Sequence, residues 1–193
     1  MNLSKLVNTL PIIFISGLAW YGCNPKTQPV SLLTQNNKTI ESPGADPAAN
    51  LSEYEVVPNS VHDGDTLRVQ SPNGQVLKIR FACIDAPELK QELGQESRNY
   101  LRSLINKANG KVKIQIVDTD RYGRSVAELW TKEGLLQSYM TSSGMAFAYD
   151  QYKKNCPHWN SVKSAEQVAI DNKLGVWASP NFIKPWDWRK ANK

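Results

Sequence analysis

Apolar and polar positions alternate with the period of a strand in five stretches between Glu53 and Trp130. Glu53 to Val61 reads as the first strand, and Thr66-Leu67-Arg68-Val69 alternates as a half-buried second one. Ser71-Pro72-Asn73-Gly74 predicts a hairpin turn, with Asn-Gly supplying the positive φ angles, and leads into a third strand from Gln75 to Ile84. Lys111 to Val117 is the fourth, with Val112, Ile114 and Ile116 on one face, and Arg124 to Trp130 the fifth. Three helical stripes are interleaved. Gly94 to Ala108 lines up Tyr100, Leu101, Leu104, Ile105 and Ala108. Leu135 to Ser143 stops at Gly144, a natural C-terminal cap, and Ser161 to Lys173 groups Val162, Ala165, Ala169 and Ile170 before Gly175.

Five short strands with a helix between the third and fourth predict an α+β domain, a small closed or partly closed five-stranded β-barrel of the OB-fold type with about three helices. The pattern holds from residue 53 to residue 188, leaving 189–193 as a tail. What precedes it is different. Lys5 stands before the largely apolar run Leu6 to Trp20, which Asn8, Thr9 and Pro11 interrupt. That run is too short and broken for a membrane span and suits a signal-peptide core. Gly22-Cys23 resembles a bacterial lipobox, although Trp20 and Tyr21 replace its usual Leu and small residue. Residues 1–23 are therefore read as an export signal, with three outcomes open: lipid on Cys23, plain cleavage to a secreted or periplasmic protein, or an uncleaved anchor. Residues 24–52 are rich in Pro, Gly, Asn, Gln, Ser and Thr, the composition of a flexible tether.

Composition narrows the function. With 40% hydrophobic residues, six Trp and seven Tyr, the 193-residue chain is not wholly disordered. Three widely spaced Cys exclude a disulfide framework and a Cys-rich zinc site, and two His argue against His-rich metal chemistry. The net charge is +5, and +4 remains from residue 53 onward, with 20 basic against 16 acidic residues. Such an excess suits a polyanionic partner without requiring one.

Acidic residues gather at two predicted strand ends, Asp63-Gly64-Asp65-Thr66 and Asp85-Ala86-Pro87-Glu88. Two loop carboxylates on adjacent strands can hold a hard cation such as Ca²⁺, and an Asp-Gly-Asp turn alone is equally a hairpin signal. Arg80 lies in the otherwise apolar Ile79-Arg80-Phe81-Ala82-Cys83-Ile84, where a guanidinium needs an anion to meet it. Arg124 follows Tyr122-Gly123. Two arginines, two metal-binding carboxylates and one further carboxylate make a kit for phosphodiester hydrolysis, unless both arginines are structural partners of Asp63 or Glu128. Strict alternation puts Arg80 and Asp85 on opposite faces, so the third strand must end or twist between them if they share a site.

Asp63-Gly64-Asp65-Thr66, Arg80 through Glu88, and Asp120-Arg121-Tyr122-Gly123-Arg124 resemble, in order and spacing, the three signatures of the staphylococcal nuclease family. Ser164-Ala165-Glu166 and Leu174-Gly175-Val176-Trp177 are similar to its C-terminal helix and exit, so the resemblance spans about Tyr54 to Trp177. It implies a Ca²⁺-dependent nuclease cutting DNA and RNA to 3′-phosphate ends. Asp65 and Asp85 match its calcium carboxylates, and Ala86 a backbone-carbonyl ligand. Glu88 matches the proposed general base, and Arg80 and Arg124 the guanidiniums on the scissile phosphate. Arg121 and Tyr122 match positions near a terminal phosphate, and Tyr149 and Tyr152 are candidates for the base-stacking tyrosines. The loop after Glu88 is short, with Lys90 its one basic residue.

His62 reads as a surface or packing residue, Cys83 as buried in a strand, and Cys83 and Cys156 as a conceivable disulfide after export. Trp159, Trp177, Trp186 and Trp188 read as pins for the last helix and tail. The rival function is a non-catalytic nucleic-acid-binding OB module, and a membrane contact is expected only through the N-terminal segment or a lipid on Cys23. A monomer is the default.

Overall fold

The computed structural model describes residues 47–192. The expected signal segment and most of the expected tether lie outside them. Eight strands and four helices follow one another as β1 (Glu53–Val56), β2 (Thr66–Gln70), β3 (Val76–Phe81), β4 (Ile84–Asp85), α1 (Gly94–Lys107), β5 (Lys111–Thr119), β6 (Ser125–Thr131), β7 (Gly134–Leu135), α2 (Leu136–Ser142), β8 (Phe147–Ala148), α3 (Trp159–Asp171) and α4 (Pro185–Ala191). Short 3₁₀ turns at Asp150–Asn155 and Gly175–Trp177 flank α3.

The sheet runs β3-β2-β1-β5-β6-β7, and β3 also pairs in parallel with β6. That pairing closes β1, β2, β3, β5 and β6 into the expected five-stranded barrel, which removes the open edges a flat sheet would expose. Its interior is filled by alternate strand residues, among them Leu67, Val69, Ile79, Phe81 and Leu129, all fully buried. Leu101 of α1 and Met140 of α2 are buried in the same core.

The three expected helices form within two residues of their expected bounds. Four details differ. β1 ends at Val56, not Val61, because the chain turns at Val57–Ser60, where Pro58 has no N–H and Asn59 takes φ 58°. Ile116 is not buried with Val112 and Ile114. It keeps their register, opposite Ala127, yet is 48% exposed, at the point where the β5–β6 ladder becomes irregular between Ile116 and Asp118. The third strand breaks after Phe81, since Cys83 adopts φ 70° and ends the ladder before β4. The segment expected as a tail continues the fold: Pro185 opens α4 at a first-turn position, and α4 carries Arg189 and Lys190 in its last turn.

Cys83 and Cys156 form a disulfide with Cα atoms 5.5 Å apart, across 73 residues of chain. It fastens the β3–β4 break to the turn that precedes α3. Phe147 of β8 packs edge-on against Trp177 and Trp186, centroids 5.0 and 5.7 Å away, and these contacts hold the C-terminal segment against the barrel. No described helix is long and apolar enough to cross a membrane.

Candidate functional site

The Asp63–Asp65 turn is set by its own chemistry. Asp63 Oδ1 accepts the N–H of Asp65 at 3.0 Å, an Asx turn that leads straight into β2. Gly64 is required by close approach: a Cβ there would lie 1.8 Å from Ser97 Oγ and 2.8 Å from Ala86 Cβ. The turn is thereby pressed between α1 and the loop after β4. The N–H of Ala86 donates to Asp65 Oδ2 at 2.7 Å, locking the two acidic loops together.

Arg80 stands between them. Its Nη1 is 2.9 Å from Asp65 Oδ2 and its Nη2 2.7 Å from Asp85 Oδ1. The break at Cys83 resolves the facing problem, because it lets Asp85 return to the side on which Arg80 points. β4 then fixes Asp85 by pairing with Phe147 of β8. Both carboxylates are buried, Asp85 completely. Removing one member of such a set costs about 3–5 kcal/mol, because it strands a charge away from water.

Arg189 lies in the segment expected as a tail. The structure puts its guanidinium on the same carboxylates. Nη2 is 2.7 Å from Asp85 Oδ2, and Nη1 lies 3.1 Å from Asp85 Oδ1 and 2.7 Å from Glu88 Oε1. One side chain therefore bridges Asp85 and Glu88. The available signal was Pro185 ahead of Trp186 and Trp188, a helix start whose aromatics must bury somewhere. Glu88 is anchored in turn, its N–H donating to Gln91 Oε1, whose amide donates to the Ile183 carbonyl before α4.

The charges are unevenly balanced. Burial pushes the Asp65 carboxyl up to about 7 against the pull of Arg80, with Asp63 and Glu88 adding repulsion. Burial also raises Asp85, opposed by Arg80 and Arg189. Arg189, though partly desolvated, is held more firmly protonated by Asp85 and Glu88. Among the described residues no group of three or more His, Cys, Asp or Glu side chains is arranged to hold a metal ion alone. The donor set is instead two buried carboxylates, Asp65 and Asp85, beside the Ala86 backbone. Hard oxygen donors short of positive charge fit a hard divalent cation.

Two further groups sit apart from this cluster. Arg124 Nε is 2.6 Å from Asp120 Oδ2, and Asp120 also accepts the N–H groups of Tyr122 and Arg124, so the Asp120–Arg124 loop is self-contained. Although desolvation works against it, these bonds hold the Asp120 carboxyl below its ordinary range. Arg121 lies over the exposed Tyr122 ring at 4.8 Å and donates to its hydroxyl. β6 begins immediately after Arg124 and pairs Ser125 with Ile79, which places the loop at the flank of β3. On another side, Tyr149 stacks on Trp186 at 5.0 Å and meets Tyr152 at 5.4 Å. Burial first and then the charge of Asp85 push the Tyr149 hydroxyl up. Tyr149, Trp186, Trp177, Lys163, Lys184 and Lys190 line a cavity of about 350 Å³. His62, by contrast, is exposed.

A closed five-stranded barrel with helices, carrying paired acidic loops and an arginine between them, defines an OB-fold domain of nuclease type. The family described as staphylococcal nuclease homologue matches residues 78–179, and the chain belongs to it. An uncharacterized endonuclease of Haemophilus influenzae is 34% identical over 133 residues, covering 69% of this chain and 71% of its own. Micrococcal nuclease of Shigella flexneri is 34% identical over 140 residues, 68% of this chain and 78% of its own. The staphylococcal-like nuclease CAN1 of Arabidopsis thaliana is 30% identical over 149 residues, 75% of this chain and 44% of its own. The chain is thus a nuclease of this family.

Proposed function

We propose that the protein is an exported, Ca²⁺-dependent nuclease that hydrolyses phosphodiester bonds of DNA and RNA by attack of water on phosphorus, leaving 3′-phosphate ends. The observation that carries the reading is the Asp65–Arg80–Asp85–Glu88 cluster: buried carboxylates, a guanidinium and a half-buried carboxylate gathered from the turn before β2, from β3, and from β4 and the loop after it.

Asp65, Asp85 and the Ala86 carbonyl would hold the cation. When bound, Ca²⁺ supplies a Lewis acid that offsets charge on the phosphoryl oxygens. Glu88, held beside Asp85 through Arg189, takes the proton of the attacking water at a carboxylate oxygen. Arg80 presents its guanidinium to the phosphoryl group as negative charge develops there. Arg124, in its Asp120-braced loop, is the second guanidinium and stabilises the 5′ oxygen, which takes up a proton from water as the P–O bond breaks. Arg121 and Tyr122 receive the terminal phosphate, while Tyr149 and Tyr152 offer ring faces to a base, a contact every base can make. Residues 1–23 export the chain and, with a lipid on Cys23, would hold it at a membrane, the domain acting as a monomer.

The test uses single-stranded DNA with calcium and then with chelator, beside Glu88→Ser and Arg80→Gly. Both substitutions are expected to lower turnover by about 10² or more, with 3′-phosphate products in the wild type. Cleavage that survives chelation would sink the metal assignment to Asp65 and Asp85. Tight, salt-sensitive binding without cleavage would favour the binding module.

A further inference from the structure

Cations that pair with no acidic side chain among the described residues line a second concavity, on the outer face of β2 and β3. Arg68 and Lys78 are direct cross-strand partners, and both are exposed. Like charges facing each other across a sheet repel and lower its stability. Arg98 and Arg102 stand one turn apart on α1, the helical form of the same unfavourable arrangement. These four line a cavity of about 320 Å³ in which no acidic residue takes part. The bonds their side chains make go to neutral acceptors: Arg98 donates to Gln95 Oε1, and Arg102 to the Val61 carbonyl at 3.4 Å. Four cations gathered without a carboxylate lower the stability of the isolated chain and suit an external anion.

The position in the fold says which anion. Alternation along β3 puts Lys78 and Arg80 on one face, about 7 Å apart. The register sets Thr66 opposite Arg80 and Arg68 opposite Lys78, so a basic row leads from the carboxylate cluster into the groove. Thr66 and Leu89, the chain neighbours of Asp65 and Glu88, also line it. The groove is therefore continuous with the site, and it is a trough between sheet and helix, unlike the flat face a membrane would select. We infer that this groove is a second phosphate-binding site, taking the sugar-phosphate backbone of a single nucleic-acid strand beyond the scissile linkage. The inference rests on the nuclease reading above and explains how a long strand would be held in preference to a short one.

Full-length Arg68→Gln/Lys78→Gln and Arg98→Gln/Arg102→Gln variants test it. Binding to a fluorescent single strand roughly 16 nucleotides long is measured by anisotropy, with Glu88→Gln added to every protein to prevent cleavage. Each pair is expected to weaken binding about tenfold at low salt and to flatten the plot of log K against log salt by about 1.4. With Glu88 restored, kcat and KM on a dinucleotide should stay within about twofold of wild type. Melting temperatures should equal or exceed the wild-type value, since a repulsive pair has been removed. Unchanged affinity and slope for the long strand would overturn the inference. So would an equal loss on the dinucleotide, or lower melting temperatures, which would make the cations structural. Loss of binding to phosphatidylserine vesicles with strand binding intact would overturn it in favour of a membrane. If the wild type binds the strand through the groove yet cleaves nothing, the hydrolytic reading falls and the groove stands.

Discussion

Asp65 sits where its charge is least welcome: buried, acidic neighbours on two sides, and one guanidinium to oppose them. Its folded-state value of about 7 lies above the ordinary 3.8. Between those pH values the folded chain holds more protons than the unfolded one, so this carboxyl makes stability fall as pH rises. Asp85 is shifted the same way and adds to the trend. In chelator, Asp65→Asn should therefore gain urea resistance relative to wild type on moving from about pH 5 to about pH 7.5. A difference that stays constant with pH would show that Asp65 titrates normally. Arg189 governs the neighbouring pair. Arg189→Ala should lower kcat at least about tenfold by freeing the Glu88 carboxylate. Arg189→Lys, with one of the three bonds recoverable, should regain part of it, and equal activities in all three proteins would refute the bridge.

The β3–β4 junction is where sequence pattern and site chemistry meet. Arg80 and Asp85 share a site because the chain breaks at Cys83, and the disulfide to Cys156 holds that break. A bond closing 73 residues limits the unfolded chain by about 4 kcal/mol. Reduction, or Cys83→Ser/Cys156→Ser, should lower the melting temperature by several degrees and depress turnover, because Asp85 is two residues away. Calorimetry and single-turnover cleavage check the two effects, and a reduced protein identical in both would leave the bond ornamental. The barrel, α1 and α3 were legible from their apolar periods, and the short α2 from the Gly144 that ends it. The break at Cys83 was legible only as a requirement of the chemistry, since a positive φ at a non-glycine residue leaves no mark in hydropathy. Ile116 misled differently: alternation places it in line with Val112 and Ile114, but where the core ends along β5 leaves no mark in hydropathy. α4 escaped because its ordering depends on Phe147 and Asp85, far away in the chain.

At the scale of the whole molecule, the excess positive charge is concentrated at one end of the chain. Residues 53–188 hold 17 basic and 16 acidic side chains, so Arg189, Lys190 and Lys193 supply most of the +4 found from residue 53 onward. α4 returns that end to the barrel, placing Lys190 with Lys184 around the cavity that Tyr149 and Trp186 also line. Lys184 lies over the Trp186 ring at 5.3 Å, and Lys190 makes an exposed 3.2 Å pair with Asp187 that water and salt weaken. Both ammonium groups can therefore turn to a phosphate on a strand whose base lies against Tyr149. Counter-ion release makes such contacts countable, at a slope of about 0.7 per phosphate neutralised on a single strand. Lys184→Gln/Lys190→Gln should weaken single-strand binding at low salt and reduce the slope by about 1.4, leaving duplex and single-strand affinities closer together. Trp186→Ala should weaken binding about tenfold with the slope unchanged, because stacking carries no counter-ion term. The two variants then separate charge from stacking: a slope that falls in Trp186→Ala, or holds in the lysine pair, would place the strand's path elsewhere on the barrel.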